Sequence, residues 1–225
     1  MSALIIAIDG PSAAGKSTLA KRLAKELGFT YLDTGAMYRA LALKVLREGI
    51  DIGNDGMLTE LIGRTAIDLL EDEGKLHVLL DGEDVSELIR TPEVSQMASK
   101  ASALKTVRQW MLVLQRALGQ RGHVVAEGRD IGTVVFPDAE VKIYLDASAQ
   151  ERARRRVEEL RRSGRQVGLD ETLREMVERD KRDSERELAP LCKAADAVAI
   201  DSSALDAEAL AQKVMQEIRE KALPN

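Results

Sequence analysis

The fold is decided by residues 3–18, which read ALIIAIDGPSAAGKST. The run from Ala3 to Ile8 is continuously aliphatic, as is typical of a central strand buried on both faces of a parallel sheet. The strand leads into a glycine-bearing loop, after which the apolar spacing predicts a helix over about 16–27 that stops at Gly28. A strand, a glycine-bearing loop and a helix in this order indicate an α/β protein.

Residues 10–17 match the phosphate-loop pattern G-x-x-x-x-G-K-[ST], and they lie between a strand and a helix as the pattern requires. Backbone N–H groups of such a loop surround a phosphate at a helix N-terminus, where the helix dipole favours an anion. We expect Lys16 to bridge the β- and γ-phosphates and the Ser17 hydroxyl to bind Mg²⁺. The sequence therefore predicts a bound nucleoside triphosphate with Mg²⁺, held by Gly10, Pro11, Ser12, Ala13, Ala14, Gly15, Lys16, Ser17 and Thr18.

The rest of the chain continues the alternation of strands and helices. Strands are predicted near 29–32, 124–126, 141–145 and 197–200, and helices near 35–48, from about 91, near 170–186 and near 206–222. Residues 63–90 differ, because short apolar runs are split by polar turns, which indicates a small antiparallel insert. We expect one α/β domain over residues 1–225, with a central parallel sheet flanked by helices and the insert as a subdomain.

Composition excludes several classes of protein. The 225 residues include 33 Lys and Arg against 38 Asp and Glu, and this net charge of −5 argues against a dedicated nucleic-acid binder. The single cysteine, Cys192, excludes an internal disulfide framework. The first apolar run is broken by Asp9 and lacks a preceding basic segment, so it is neither a signal peptide nor a membrane span. We expect a soluble cytoplasmic protein with no membrane partner.

Positive charge is concentrated in one segment. Residues 151–165 contain seven arginines and three glutamates, a local charge of +4, so the other 210 residues carry −9. The segment is either an ordinary solvated helix face or a mobile arm that binds phosphate, for which the planar fork of arginine is suited. Beside a phosphate loop we favour the second and predict a lid over 149–168 that excludes water and brings Arg152, Arg155 or Arg156 onto the nucleotide phosphates.

The class of phosphate-loop protein can be narrowed from what the chain lacks. A GTPase is disfavoured because no Asp is followed by Gly three residues later and because the only asparagines are Asn54 and Asn225, so no N-K-x-D motif exists. A remodelling ATPase would use an arginine finger across subunits, whereas these arginines are concentrated in one helix and beyond it. A small kinase with a closing lid fits better.

Four stretches resemble the bacterial cytidylate kinases, within the nucleoside monophosphate kinases. They are DGPSAAGKST at 9–18, LDTGAMYR at 32–39, GRDIGT at 128–133 and ERDKRDSER at 178–186. The resemblance covers nearly the whole chain, and the insert at 63–90 resembles the extra monophosphate-binding segment of this family. It implies the P-loop NTPase fold and a monomeric enzyme of pyrimidine metabolism that transfers phosphate from ATP, with Mg²⁺, to CMP or dCMP.

The resemblance also implies roles for individual residues. Lys16, Arg129 and Arg186 would be catalytic, and Arg155 of the lid would contact ATP. The acceptor phosphate would be held by Arg39, Arg129 and Arg186, the cytosine by Ser99, Arg108 and Asp130, and the region of the sugar by Thr34, Arg179 and Asp183. Cytosine has an amine donor and two acceptors, so a carboxylate together with cationic and hydroxyl donors suits it. Two plainer readings stay open: Arg108 as a surface helix residue, and Asp130 as a partner of Arg129.

The role of Asp33 is left open by the sequence. It either binds a Mg²⁺-bound water or caps the following helix. A general base is not required for CMP, because the second pKa of a phosphate monoester is about 6 and the attacking oxygen is already ionised near pH 7. In a kinase acting on another small acceptor, such as UMP, AMP or shikimate, a hydroxyl acceptor would need Asp33 as its base. A nucleotide-responsive binding module without turnover is the alternative outside the enzymes.

Position 13 departs from the family pattern, since it is Ala where relatives often have Gly. If the loop needs φ > 0 there, alanine costs on the order of 1 kcal/mol or shifts the loop slightly. We expect ATP binding to be retained.

Overall fold

The computed structural model describes residues 3–72 and 75–222, which form two compact units. The first unit contains residues up to Tyr31 and from Gly122 onward, and the second contains Leu32–Arg121. In chain order the elements are β1 (Ile5–Asp9), α1 (Lys16–Leu27), β2 (Thr30–Asp33), α2 (Thr34–Arg47), α3 (Asp55–Gly63), β3 (Ile67–Asp72), β4 (Lys75–Leu80), β5 (Glu83–Asp84), α4 (Pro92–Ala101), α5 (Lys105–Gly119), β6 (Val124–Gly128), β7 (Val141–Asp146), α6 (Ala149–Arg162), α7 (Leu169–Glu185), β8 (Val198–Asp201) and α8 (Ala207–Ala222).

The first unit is built on a five-stranded sheet of order β2-β6-β1-β7-β8. Of the strand β2, only Thr30 and Tyr31 belong to this unit. The pairs β1–β6, β1–β7 and β7–β8 are parallel. The central strand β1 is fully aliphatic from Ile5 to Ile8 because it has a neighbour on each side and helices against the sheet, with α1 packed on β6 and α8 on β7. The predicted central parallel sheet is confirmed.

The carboxyl ends of the central strands meet at one edge of this sheet. Asp9, at the end of β1, is in register with Gly128 on β6 and with Tyr144 on β7. In open parallel sheets, ligand-binding loops leave from this edge. The phosphate loop follows Asp9 and the GRDIGT motif begins at Gly128, so the topology brings these two predicted motifs together.

The second unit contains the small antiparallel sheet, of order β3-β4-β5. It pairs Ile67 with Leu80 and Leu79 with Asp84, and it confirms the antiparallel insert predicted within 63–90, of which residues 73 and 74 lie outside the described ranges. The helix α3, whose N-cap is Asn54, was not predicted from the sequence. Among residues 3–72 and 75–222, no helix is long and apolar enough to cross a membrane.

Candidate active site

The first position of the phosphate loop, Gly10, has a backbone conformation and a close contact that only glycine allows. Gly10 has φ +145°, and a Cβ placed there would lie 1.9 Å from the carbonyl oxygen of Leu145 on the neighbouring strand. Any side chain at position 10 would therefore force the loop away from β7. The loop ends at Gly15, φ +97°, where α1 begins.

Ala13 adopts the left-handed conformation, with φ +58°. A positive φ at position 13 was the condition under which alanine is expected to be unfavourable there. An L-residue with a Cβ is disfavoured in this region by about 1–2 kcal/mol. The loop keeps its shape at the expense of local backbone strain.

Lys16 is the first residue of α1 and is only 6% exposed. Its Nζ donates to the carbonyl oxygen of Pro11 at 2.6 Å, across the loop. The pKa of Lys16 is lowered to about 7, chiefly by burial and next by the positive charge of Arg129, while Glu127 and Asp9 act in the opposite direction. An anion placed in the loop would compensate the buried cation, which is the chemistry expected of a phosphate-binding lysine.

Asp9 is a buried carboxylate that sequence reasoning did not assign to the site. Its Oδ1 accepts the N–H of Ile131 and its Oδ2 accepts the N–H of Gly132, both at 2.8 Å. Burial raises the pKa of Asp9 to about 6, although the two N–H groups act in the opposite direction. The available signal was an acid at the end of an otherwise aliphatic strand.

Glu127 is a second buried acid that was missed. It lies on β6 in register with Ile8 and accepts a hydrogen bond from the hydroxyl of Tyr31. Its negative charge is close enough to Lys16 to raise the pKa of that lysine. An acid next to the apolar run 124–126 was the signal for it in the sequence.

Five of the predicted acceptor-binding residues form one cluster in the first unit. Arg129 Nε lies 3.1 Å from Asp183 Oδ2, Arg179 Nε lies 3.9 Å from the same oxygen, and Arg186 lies 3.5 Å from Asp130 Oδ1. Burial would raise the pKa of Asp183, but the three arginines outweigh it and hold that pKa below its usual range. The cluster carries more guanidinium than carboxylate charge, as suits a phosphate site.

The segment after α7 holds the last arginine of the cluster in place. Arg186 Nε donates to the carbonyl oxygen of Ala189 at 2.7 Å, and Leu191 N donates to that of Asp183 at 2.8 Å. Ala189 has φ +49°, which turns the chain back on the helix end. Arg186 and Asp183 are thus fixed by the same short return of the chain.

The predicted lid segment begins with α6, whose arginines have distinct surroundings. Arg152 is buried and donates to the carbonyl oxygen of Ser12 at 3.2 Å, while it also pairs with Asp180 on α7. Arg155 donates to Ser202 O at 2.7 Å and to Ser202 Oγ at 3.1 Å, and that hydroxyl donates to Ala14 O at 2.9 Å. Arg156 pairs with Glu159 on its own helix at 2.8 Å. Two of the three candidates therefore lie against the phosphate loop.

In the second unit, Asp33 is the N-cap of α2. Its Oδ1 accepts the N–H of Ala36 at 2.7 Å, and its Oδ2 lies 3.2 Å from the guanidinium of Arg39. The capping role is therefore present, and binding of a Mg²⁺-bound water stays a prediction. Thr34, the first residue of α2, is buried.

Arg108 is 8% exposed, so its interpretation as a surface helix residue is wrong. Its guanidinium donates to the hydroxyl of Tyr38 and to the carbonyl oxygen of Ser102, both at 3.2 Å, and lies 5.7 Å from the centre of the Tyr38 ring. The Ser102 hydroxyl donates in turn to the carbonyl oxygen of Ser99 at 2.9 Å. The sequence did not single out Ser102, which connects the two predicted cytosine-binding residues Arg108 and Ser99, or Tyr38, which contacts Arg108.

The donor set suits Mg²⁺ held mainly by substrate phosphates. Ser17 and Thr18 are exposed in the first turn of α1. Within the described ranges, no three His, Cys, Asp or Glu side chains come together closely enough to hold a metal ion on their own. Mg²⁺ in nucleotide enzymes keeps several waters and takes one or two protein oxygens, so the residues present fit it.

The family model and the curated relatives that match this chain name the same family. A family model described as cytidylate kinase matches residues 6–220. A cytidylate kinase from Carboxydothermus hydrogenoformans is 49% identical over 216 residues, 96% of this chain and 97% of that protein. One from Pelotomaculum thermopropionicum is 51% identical over 214 residues, 95% of each chain. The structure of an uncharacterized protein from Eubacterium ventriosum covers 96% of this chain and 98% of its own, with TM-score 0.53 and 14% identity, a likeness of fold alone.

Proposed function

The chain belongs to the cytidylate kinase family, and from this premise we propose that it transfers the γ-phosphoryl group of ATP to CMP and dCMP, giving ADP with CDP or dCDP. One observation carries the proposal. Gly128, which directly precedes the predicted acceptor residue Arg129, is in register with Asp9, which directly precedes the phosphate loop, and the charges of Arg129 and Arg179 lower the pKa of Lys16 in that loop. A donor-phosphate lysine and acceptor arginines in one neighbourhood are what transfer between two phosphates requires.

Charge stabilisation and positioning do most of the work in this reaction. Lys16 and the loop N–H groups hold the β- and γ-phosphates of ATP, while Arg129 and Arg186 hold the phosphate of CMP. The attacking oxygen belongs to that phosphate, whose second pKa is about 6, so no side chain has to remove a proton near pH 7. This agrees with the lack of a histidine among the proposed site residues.

Recognition of cytosine rests on a different set of groups. Asp130 accepts from the exocyclic amine of cytosine, and Arg108 and Ser99 supply donors to its acceptors. Uracil presents the opposite pattern at positions 3 and 4, so these groups would be left mismatched, which discriminates strongly. Arg179 and Asp183 are proposed for the region of the sugar. Thr34 and Arg39 are further acceptor ligands on the same basis of family resemblance.

Mg²⁺ is proposed to be held by Ser17, with Asp33 as a candidate for contact through water. When bound, the ion would neutralise negative charge on the phosphates of ATP. Arg155 is proposed as the lid arginine that contacts ATP, and the segment 149–168 as the lid that excludes water. A cytoplasmic location, a monomeric state and a place in pyrimidine metabolism complete the proposal.

The experiment is a coupled assay of ADP release from ATP with CMP, dCMP, UMP, AMP and shikimate as separate acceptors. We expect ADP formation that depends on CMP or dCMP, with UMP at least tenfold poorer in kcat/KM. Lys16→Gln is the matched inactive control. ADP formation with shikimate or AMP alone would replace the proposed acceptor, and nucleotide binding without ADP formation on any acceptor would favour the binding module. Light scattering after gel filtration tests the monomer.

A further inference from the structure

The carboxylate of Asp9 is fixed by two consecutive backbone N–H groups. Both oxygens are used, one by Ile131 and one by Gly132, at 2.8 Å each, and the residue is 4% exposed. Asp9 is the last residue of β1 and directly precedes Gly10 of the phosphate loop. The bonds therefore join the strand that leads into the phosphate loop to a segment more than a hundred residues later in the chain.

The segment that Asp9 holds is a single π-helical turn, Ile131–Val135. The N–H groups of Val134 and Val135 both donate to the carbonyl oxygen of Asp130, at 2.9 and 3.1 Å. The N–H groups of Ile131 and Gly132 begin the turn, where no carbonyl of the turn itself can accept them. Asp9 is the acceptor that they use. Such turns are rare in proteins, and those that occur are often found at functional sites.

The turn follows directly on Arg129 and Asp130, the two residues proposed to bind the acceptor phosphate and cytosine. The turn is closely packed at Gly132, because a Cβ there would lie 3.1 Å from Lys142 Cδ and 3.5 Å from Asp9 Oδ2. The backbone directly after Asp130 is therefore bonded to Asp9 at Ile131 and Gly132 and packed against Lys142 at Gly132.

Burying an ionised carboxylate to accept two N–H groups costs free energy, as the rise of the pKa of Asp9 to about 6 on burial indicates. The charge of Asp9 also acts on Lys16 of the phosphate loop, but both N–H groups bonded to the carboxylate belong to the turn. An ionised carboxylate holds two donors with more strength and more directional control than a neutral group does.

We propose that Asp9 is a positioning residue for the acceptor: it anchors the turn after Arg129 and Asp130 to the phosphate-loop strand and so sets their position for CMP. The inference rests on the proposed function, because CMP is the ligand whose binding reports it. Asp9 touches neither nucleotide in this role. It acts through the backbone of Ile131 and Gly132.

The test is the steady-state kinetics of Asp9→Asn. Asparagine has the same size but one oxygen, and its amide group would face one of the two N–H groups, so one anchor is lost. We expect KM for CMP to rise about tenfold and KM for ATP to rise by no more than about threefold, the latter through the lost charge near Lys16, with a smaller CMP to UMP ratio of kcat/KM. The control is Ile6→Val on the same strand, which loses buried apolar contact without touching the turn and should leave both KM values unchanged.

Amide hydrogen exchange followed by NMR gives a readout independent of turnover. In Asp9→Asn the amides of Ile131 and Gly132 should exchange at least tenfold faster relative to the amides of β6, whereas a uniform change would indicate global destabilisation. If Asp9→Asn does not fold, Asp9→Ser, which can accept one bond, takes its place. An unchanged KM for CMP, or an equal rise in both KM values, overturns the inference. Absence of CMP-dependent ADP formation by the unaltered protein would instead overturn the proposed function.

Discussion

The carboxylate of Asp33 joins the start of α2 to Arg39, one turn and a half further along the helix. One oxygen accepts the N–H of Ala36 at 2.7 Å and the other lies 3.2 Å from the Arg39 guanidinium. Arg39 is a proposed ligand of the acceptor phosphate, so Asp33 orients it while capping the helix. Capping of α2 and orientation of Arg39 account for Asp33 without a role as general base.

Asp33→Asn separates these roles. Asparagine is an N-cap as good as aspartate, so we expect a free energy of unfolding within about 0.5 kcal/mol of the unaltered protein. Loss of the Asp33 charge that pairs with Arg39 should raise KM for CMP and leave at least about a tenth of kcat. Asp33→Ala, which removes the cap as well, should lose about 1 kcal/mol of stability by urea unfolding. Loss of nearly all turnover in Asp33→Asn would support a base and a hydroxyl acceptor.

Ala13→Gly should stabilise the protein, because glycine adopts φ +58° without the clash of a Cβ. After the greater flexibility of glycine in the unfolded chain is deducted, we expect a gain of about 0.5–1 kcal/mol in the free energy of unfolding. Ala14→Gly is the matched control, since Ala14 is buried and is not among the described residues with positive φ, and it should destabilise. Urea unfolding measures both, and equal signs would contradict the argument.

Asp183→Asn should destabilise the arginine cluster. The buried carboxylate faces Arg129, Arg179 and Arg186, and without its charge the three guanidiniums repel one another. We expect a loss of about 3 kcal/mol by urea unfolding at pH 7. Glu178→Gln changes the same charge on an exposed position of the same helix, and it should stay within about 0.5 kcal/mol. If the two variants lose the same stability, the cluster is not the cause.

Arg155→Met should impair the use of ATP more than it lowers the free energy of unfolding. The side chain of Arg155 is 29% exposed and contacts Ser202, which reaches the phosphate loop at Ala14. We expect kcat/KM for ATP to fall at least about tenfold, with a loss of stability of about 1 kcal/mol or less. The control is Arg154→Met, because Arg154 is 68% exposed and should be nearly neutral. Unchanged turnover in Arg155→Met would remove this residue from the lid assignment.

The ionisation of Asp9 should make stability depend on pH. Burial raises its pKa from an ordinary value of 3.8 to about 6, against the N–H groups of Gly132 and Ile131, with Asp130 adding to the rise and Lys16 opposing it. Between these values the folded protein binds a proton that the unfolded chain has released, so the contribution of Asp9 to stability falls as pH rises from about 4 to about 6. Asp9→Asn lacks this titration.

Urea unfolding of the unaltered protein and of Asp9→Asn at pH 4, 5, 6 and 7 measures the effect. The stability of the unaltered protein minus that of the variant should decrease by about 2 kcal/mol from pH 4 to pH 7. A difference that is constant with pH would show that Asp9 titrates in the folded protein as it does in the unfolded chain.

The sequence determined the parts of the site that are local. The phosphate loop follows from residues 10–17, since glycines and a helix start within a few residues define its backbone. Four of the five strands of the parallel sheet follow from aliphatic runs, the strand at Thr30–Asp33 follows from a short run with aromatic residues, and the antiparallel sheet follows from polar turns between short apolar runs. The positive φ at position 13 could be anticipated, because glycine is usual there in the family.

The tertiary structure alone decided which distant groups meet. Asp9 and Gly132, or Tyr31 and Glu127, are about a hundred residues apart, and no spacing in the sequence relates them until β1, β2 and β6 pair in register. The same holds for Arg152, one of seven arginines in a charged helix, which is buried because Asp180 and Ser12 lie against it. Local sequence sets backbone conformation through short-range sterics and hydrogen bonds, whereas burial and charge pairing, which set pKa values and fix the arginines, arise only when the strands and helices pack.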